Sequence, residues 1–174
     1  KFINKLELTF NDKINIVFEL MLIIKYFHDN KMIYRDLKPD NVIIDVNKTV
    51  VLIDLDRLIE IEITDTDTTL DLGSNFIAPE VADLKKFSYK SDIYSLGKMI
   101  EYVMNSEKYE SSQSDEYLKI KELWNKCLNE NPEKRPSISH LIKEFTEKYQ
   151  SKIQFELLSA KYIEHFVYFD MINE

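Results

Sequence analysis

Glycine is nearly missing from this sequence: 174 residues carry two, Gly73 and Gly97. Phosphate-cradling loops such as G-x-G-x-x-G use glycines so that the backbone can close on the anion, so no such loop lies within these residues. Cysteine is scarcer still. With Cys127 alone, no disulfide can close inside the chain. That suits a reducing cytosol or nucleus and reads the thiol as a small buried apolar side chain. No apolar run reaches the roughly 18 residues of a membrane span. The opening residues "KFINKLELTF" lack the basic-then-apolar pattern of a leader. Positive charge is in deficit: 23 Lys and Arg against 31 Asp and Glu give a net charge of −8, which argues against a nucleic-acid partner. Apolar residues are plentiful, at 44% with 12% aromatic, enough for a packed core in one domain or part of a larger one. "NKT" at 47–49 matches a glycosylation sequon and reads here as a turn.

Apolar spacing divides the chain. Residues 11–29 predict a helix capped by Asn11 or Asp12. Ile14, Val17, Phe18, Met21, Leu22 and Lys25 keep helical spacing, and Leu20, Ile23, Ile24 and Phe27 fill the other side, so burial is expected nearly all round. "NVIID", a turn at "VNK" and "TVVLID" predict a small β-hairpin rich in Val and Ile. Residues 56–78 lack a period and read as a loop. A short helix opens at Ala78-Pro79-Glu80. A second strongly apolar helix covers 90–104, with Ser91 or Asp92 near its cap. A third follows the polar connector 105–114, with Leu118, Leu123, Trp124, Cys127 and Leu128 inward. "NPEKRP" breaks it, and a fourth helix runs from near Pro136 to about Tyr149. The tail 151–174 suggests one more, with Ile153, Leu157, Ala160, Ile163, Phe166 and Val167 as its stripe. The expected fold is mainly α with a small β-hairpin. There is no internal repeat.

"MIYRDLKPDNVIID", residues 32–45, is too rich in charge for a plain connection. Asp36, Lys38 and Asn41 precede the hairpin, and Asp54 ends its second strand. Pairing of the strands returns Asp54 toward Asn41. Two carboxylates, an amide oxygen and an ammonium would then share a pocket. Hard oxygens of this kind suit Mg²⁺. A carboxylate, a metal and a cation converging on phosphate are the parts of phosphoryl transfer.

Five stretches in order resemble the eukaryotic protein kinases: "YRDLKPDN" the catalytic loop, "LIDLD" the metal-binding D-F-G segment, "APE" at 78–80, "SDIYSLG", and "NENPEKRPSI" the late P-x-x-R-P element. The resemblance spans residues from about 11 to 149. It implies that Asp36 is the catalytic base and that Lys38 steadies the γ-phosphate. It implies that Asn41 and Asp54 hold Mg²⁺, and that Lys38, Asn41 and Asp54 contact ATP. Lysine at position 38 points to Ser/Thr rather than Tyr acceptors. Arg35 would bind a phosphate in the activation segment, Asp92 would brace the catalytic loop, and Glu80 would pair with Arg135. What the resemblance implies is an ATP-dependent protein serine/threonine kinase, present as a C-terminal lobe over 1–150 without its β-rich N-terminal lobe, plus a helical extension over 151–174. Half a nucleotide site is expected to be nearly inactive alone. Expected partners are a protein substrate, ATP, and a regulatory protein or the missing lobe, in the cytoplasm with no membrane or nucleic acid. The alternative is a non-catalytic, kinase-like binding module.

Several positions depart from the family pattern. Tyr34 stands where His is usual, Leu55 replaces the D-F-G Phe, and Asp56 replaces its Gly, whose backbone freedom a side chain would penalise. Asp56 either adds a metal ligand or holds one state of the segment. Ser74 stands for the family Thr and Phe76 for its Tyr, with one residue fewer before Ala78. The short connector 105–114 implies a reduced substrate-docking helix. Thr64, Thr66, Thr68, Thr69 and Ser74 are candidate phosphosites.

Overall fold

The computed structural model describes residues 7–61, 74–84, 86–106 and 114–153. The helices α1 (Phe10–Asp29), α3 (Tyr89–Met104), α4 (Asp115–Cys127) and α5 (Ile138–Tyr149) form the body. Four short strands, β1 (Met32–Ile33), β2 (Val42–Ile44), β3 (Val50–Leu52) and β4 (Ile59–Glu60), lie between α1 and the short helix α2 (Pro79–Leu84). The fold is therefore mainly α with a little β, as the apolar spacing predicts. No described helix is long and apolar enough to cross a membrane.

Thr9, not Asn11 or Asp12, caps α1. Its hydroxyl accepts from the Asp12 backbone N–H, and the Asp12 carboxylate accepts from the Thr9 N–H at 2.8 Å, a reciprocal capping box. Ser88, not Ser91 or Asp92, caps α3 in the same way, with Ser91 as the returning partner. This frees the Asp92 side chain for work elsewhere. Ser137 caps α5, one residue after Pro136.

The core forms where α1 packs on α3 and α5, and α3 on α4. Ile14, Ile16, Leu20, Ile24, Leu96, Met99, Ile100, Leu123 and Phe145 are fully buried in it. Each such side chain contributes roughly 1.5–3 kcal/mol relative to exposure. Phe18 stacks on Phe145 with ring centroids 5.8 Å apart. The stripe of α4 is Tyr117, Ile120, Leu123, Trp124 and Cys127. Leu118, expected inward, lies one position off that stripe and is 47% exposed. Burial pushes the Cys127 thiol up to about 12, so it packs as an apolar group and is no nucleophile.

The expected hairpin forms, with Val42 opposite Leu52, Ile43 opposite Val51 and Ile44 opposite Val50. The Glu19 carboxylate of α1 accepts the Val50 N–H at 2.7 Å and so pins β3 to the core. β1 and β4, within or beside stretches expected as loop, pair antiparallel with Ile33 opposite Ile59. The end of the described chain returns to its beginning. Asn15 Nδ2 donates to the Lys152 carbonyl at 3.0 Å, and the Lys152 ammonium lies 5.8 Å from the centre of the Phe10 ring. Ile153 is buried there, while the rest of the expected tail stripe lies outside the described residues, as do Thr64, Thr66, Thr68, Thr69 and most of the connector 105–114.

At Gly97, α3 comes close against the end of α4. A Cβ there would stand 2.6 Å from Cys127 Cβ and 3.0 Å from Leu128 Cδ2. Alanine would gain about 1 kcal/mol of helix propensity but must push two packed helices apart. Gly97→Ala is expected to lower stability by about 2 kcal/mol net, a Tm loss of roughly 4–8 °C for a chain of this size. A thermal melt with Tm at or above that of the parent would show that the helices part freely.

Candidate active site

The loop 34–41 joins β1 to β2 beneath the N-terminal turn of α3. Asp92, on that turn, is 1% exposed and accepts three hydrogen bonds: from the Tyr34 N–H at 2.9 Å and the Arg35 N–H at 2.9 Å, and from His28 with Nε2 at 3.1 Å. The Asp92 brace expected from the resemblance is therefore present. His28 is its unforeseen third member. It lies on α1, nearly buried, with its ring centroid 4.6 Å from that of Tyr89. Only its place as a polar residue on a helix apolar nearly all round could have drawn attention to it.

Held this way, Arg35 adopts φ 70°. A left-handed conformation costs a non-glycine residue about 1–3 kcal/mol and persists where surrounding contacts over-determine it. The turn aims the next residue, Asp36, into a small constellation. Lys38 Nζ lies 2.9 Å from Asp36 Oδ2. Asn41 Nδ2 donates to the Asp36 carbonyl at 2.8 Å and to Oδ2 at 2.9 Å. Asn41 stands in a 3-10 turn, Pro39–Asn41, that runs straight into β2.

Asp54 follows β3. The Ile53 N–H donates to the Asn41 carbonyl at 3.0 Å, so the hairpin carries Asp54 back beside Asn41. Asp54 is itself left-handed, with φ 60° and ψ 61°, and its side chain is exposed. Tyr34 lies between the groups. Its hydroxyl donates to the Ile53 carbonyl at 2.7 Å. Burial first, then the charges of Asp36, Asp54 and Asp92, push this phenol well above the usual tyrosine range, while the Asn41 amide pulls the other way. Asp36 and Asn41 are thus bonded to each other, and the backbone carries Asp54 alongside Asn41.

The donor set suits a hard cation. Asn41 spends Nδ2 on Asp36, which leaves its amide oxygen, and Asp54 presents a carboxylate. Among the described residues no three His, Cys, Asp or Glu side chains form a metal cage. Mg²⁺ needs none, because it keeps waters and takes one or two carboxylates beside substrate phosphates. Asp56 sits in the 3-10 turn Leu55–Arg57 with a right-handed backbone, so a side chain at the glycine position of the motif meets no torsional penalty. Beside Asn41, the outward faces of β2 and β3 carry the half-buried pair Ile43 and Val51, an apolar step where a solvated hairpin would be polar.

Further from the loop, the Glu80–Arg135 pair forms bidentately at 2.7 and 2.8 Å. Arg135 also donates to the carbonyls of Lys90 and Asn129, each at 2.8 Å, and its guanidinium lies 5.0 Å from the centre of the Tyr94 ring. Ser74 accepts from the Phe76 N–H at 3.3 Å, and Phe76 meets the Tyr102 ring edge-on.

Known proteins resemble this chain in sequence. A family model described as the protein kinase domain matches residues 2–120. The putative serine/threonine-protein kinase R436 of Acanthamoeba polyphaga mimivirus is 30% identical over 152 residues, covering 74% of this chain and 54% of the relative. The serine/threonine-protein kinase SCH9 of Saccharomyces cerevisiae is 35% identical over 83 residues, 47% of this chain and 10% of the relative. The inactive serine/threonine-protein kinase PLK5 of mouse is 29% identical over 139 residues, 70% of this chain and 23% of the relative. The chain spans about half the length of the mimivirus relative and a quarter or less of the other two. The extent of the family match, over the same residues that fold into this loop and hairpin, shows that the chain belongs to the protein kinase family.

Proposed function

We propose that this chain is the substrate-side lobe of an ATP-dependent protein serine/threonine kinase, with the kinase lobe over residues 1–150 and an appended segment over 151–174. The single observation that carries the reading is the fixing of Asp36 between Lys38 and Asn41, with Asp54 returned beside them by the hairpin. Asp36 accepts the proton of a substrate Ser or Thr hydroxyl. Lys38 balances charge on the γ-phosphate as it moves to that oxygen. The Asn41 amide oxygen and the Asp54 carboxylate would hold Mg²⁺, which would supply neutralising charge for the phosphate. The step formed by Ile43 and Val51 gives the flat nucleobase an apolar surface to rest on.

These 174 residues hold too few glycines for a phosphate-cradling loop, so the other half of the nucleotide site comes from sequence outside them. Mg-ATP titration followed by thermal shift tests this directly. The isolated chain is expected to show little stabilisation. The same chain joined to a lobe bearing a glycine-rich loop and a strand lysine is expected to gain about 2.7 kcal/mol when nucleotide reaches a hundred times Kd. A large shift for the isolated chain would overturn the divided site. Nucleotide binding without phosphoryl transfer in the joined protein would favour the binding-module reading.

A further inference from the structure

We infer that Glu19 is a positioning residue for Asp54: with Asp12 it makes α1 a rail of two carboxylates that fixes how far β3 is drawn along the helix, and hence where the acid after that strand stands. Asp12 and Glu19 are seven positions apart, so they lie on one face of α1, two turns and about 10 Å from each other. Each holds one residue at the start of β3, in the same order along the chain. The Asp12 carboxylate accepts from Lys48 Nζ at 2.6 Å, and the Glu19 carboxylate accepts the Val50 N–H at 2.7 Å. Lys48 stands left-handed, at φ 64°, where the hairpin turns. Asp45 organises that turn from within, accepting the N–H groups of Asn47 at 2.9 Å and Thr49 at 2.8 Å.

The Val50 bond follows from the ladder. The Asp45 N–H reaches the Thr49 carbonyl at 3.1 Å and the Ile53 N–H the Asn41 carbonyl at 3.0 Å, so the bonded pairs are 45 with 49 and 41 with 53. In the antiparallel alternation Ile44 and Val50 then form a non-bonded pair. The Val50 N–H therefore points away from β2, on an open strand edge, while Val50 itself is 1% exposed. A buried N–H must find an acceptor, and Glu19, itself 8% exposed, supplies a charged one. The apolar contacts of Val42, Ile44 and Val50 with the core have no preferred direction and would let the hairpin slide. The hydrogen bond is directional and would not. Asp54 lies four residues beyond Val50, so a shift at Val50 is passed along the strand to it. What Asp54 does there rests on the kinase reading; where it stands does not.

Amide hydrogen exchange on the full chain reads the rail without nucleotide. Glu19→Leu removes the acceptor and should speed exchange at the Val50 N–H and, through the strand, at the Ile53 N–H, each about tenfold or more, the effect of losing one charged hydrogen bond. Glu19→Gln keeps an acceptor oxygen and should restore most of the protection at both. Lys48→Met cuts the other end of the rail, where the lysine side chain is 41% exposed, without disturbing the core, and should speed Ile53 about two- to threefold. In a protein with a complete nucleotide site, the free Mg²⁺ needed for half-maximal turnover should rise several-fold in Glu19→Leu, with peptide KM unchanged and Glu19→Gln near the parent. Faster exchange confined to Val50 would make Glu19 a local acceptor only and overturn the inference. So would Ile53 rates unmoved by Lys48→Met, Glu19→Gln behaving like Glu19→Leu, acceleration spread evenly into α5, or an Mg²⁺ requirement that does not move in an active protein. Absence of turnover in the parent and in every variant would count against the kinase reading alone, and the Ile53 rates would still decide whether Glu19 positions Asp54.

Discussion

Asp36→Asn is expected to cut phosphoryl transfer by about 10²–10⁴-fold, the usual contribution of a positioned general base. The measurement belongs in a protein with a complete nucleotide site, as kcat for phosphate incorporation into a Ser/Thr substrate. Asparagine preserves the shape of the side chain, and one of its termini still accepts the Asn41 N–H that reaches Oδ2 at 2.9 Å. The loop is anchored from its backbone, through Asp92 on Tyr34 and Arg35 and through Asn41 on the Asp36 carbonyl, so the substitution removes basicity rather than architecture. Mg-ATP affinity should therefore hold while kcat falls. Turnover equal to the parent's would take the base role away from Asp36.

Glu80→Ala carries the largest expected loss of stability. The Arg135 side chain is fully buried and Glu80 nearly so. Removing the carboxylate strands a guanidinium charge in the interior, at a cost of about 3–5 kcal/mol. For a chain of this size that is a Tm loss of roughly 6–20 °C. Arg135 also ties the Lys90 carbonyl on α3 to the Asn129 carbonyl beyond α4, so α2, α3 and the 129–135 turn should loosen together. Replacing both partners with apolar residues should cost less than the single change, because no charge is then left unpaired. A Glu80→Ala melt within about 2 °C of the parent would mean that water reaches Arg135 and screens it.

The long elements were readable because burial imposes a period on them. α1 and α3 are apolar around most of their circumference, and the Val- and Ile-rich runs of β2 and β3 could pair in one sensible register. Helix starts were misplaced because Asp12 and Ser91 carry capping chemistry but act from the first turn, answering Thr9 and Ser88. Two-residue strands have no period at all, so β1 and β4 follow from Ile33 meeting Ile59 and not from local pattern. Within the site, Asp36, Lys38 and Asn41 sit within six positions, and their proximity was legible. The hairpin explained the return of Asp54. His28 was not legible, because its partner Asp92 lies 64 positions away and nothing local marks the pairing. The left-handed backbone at Arg35 and Asp54 was hidden for a related reason. Neither residue type favours it, and tertiary contacts impose it.

The bond from Asn15 to the Lys152 carbonyl has a consequence for tethering. Sequence joined ahead of Leu8 and sequence following Ile153 start from the same corner of the molecule. A flexible segment attached at one side then meets whatever is attached at the other at millimolar effective concentration, set by tether length alone. A contact with a Kd well below millimolar would then stay largely closed. It would behave like a latch, whose strength a few residues of added slack could tune.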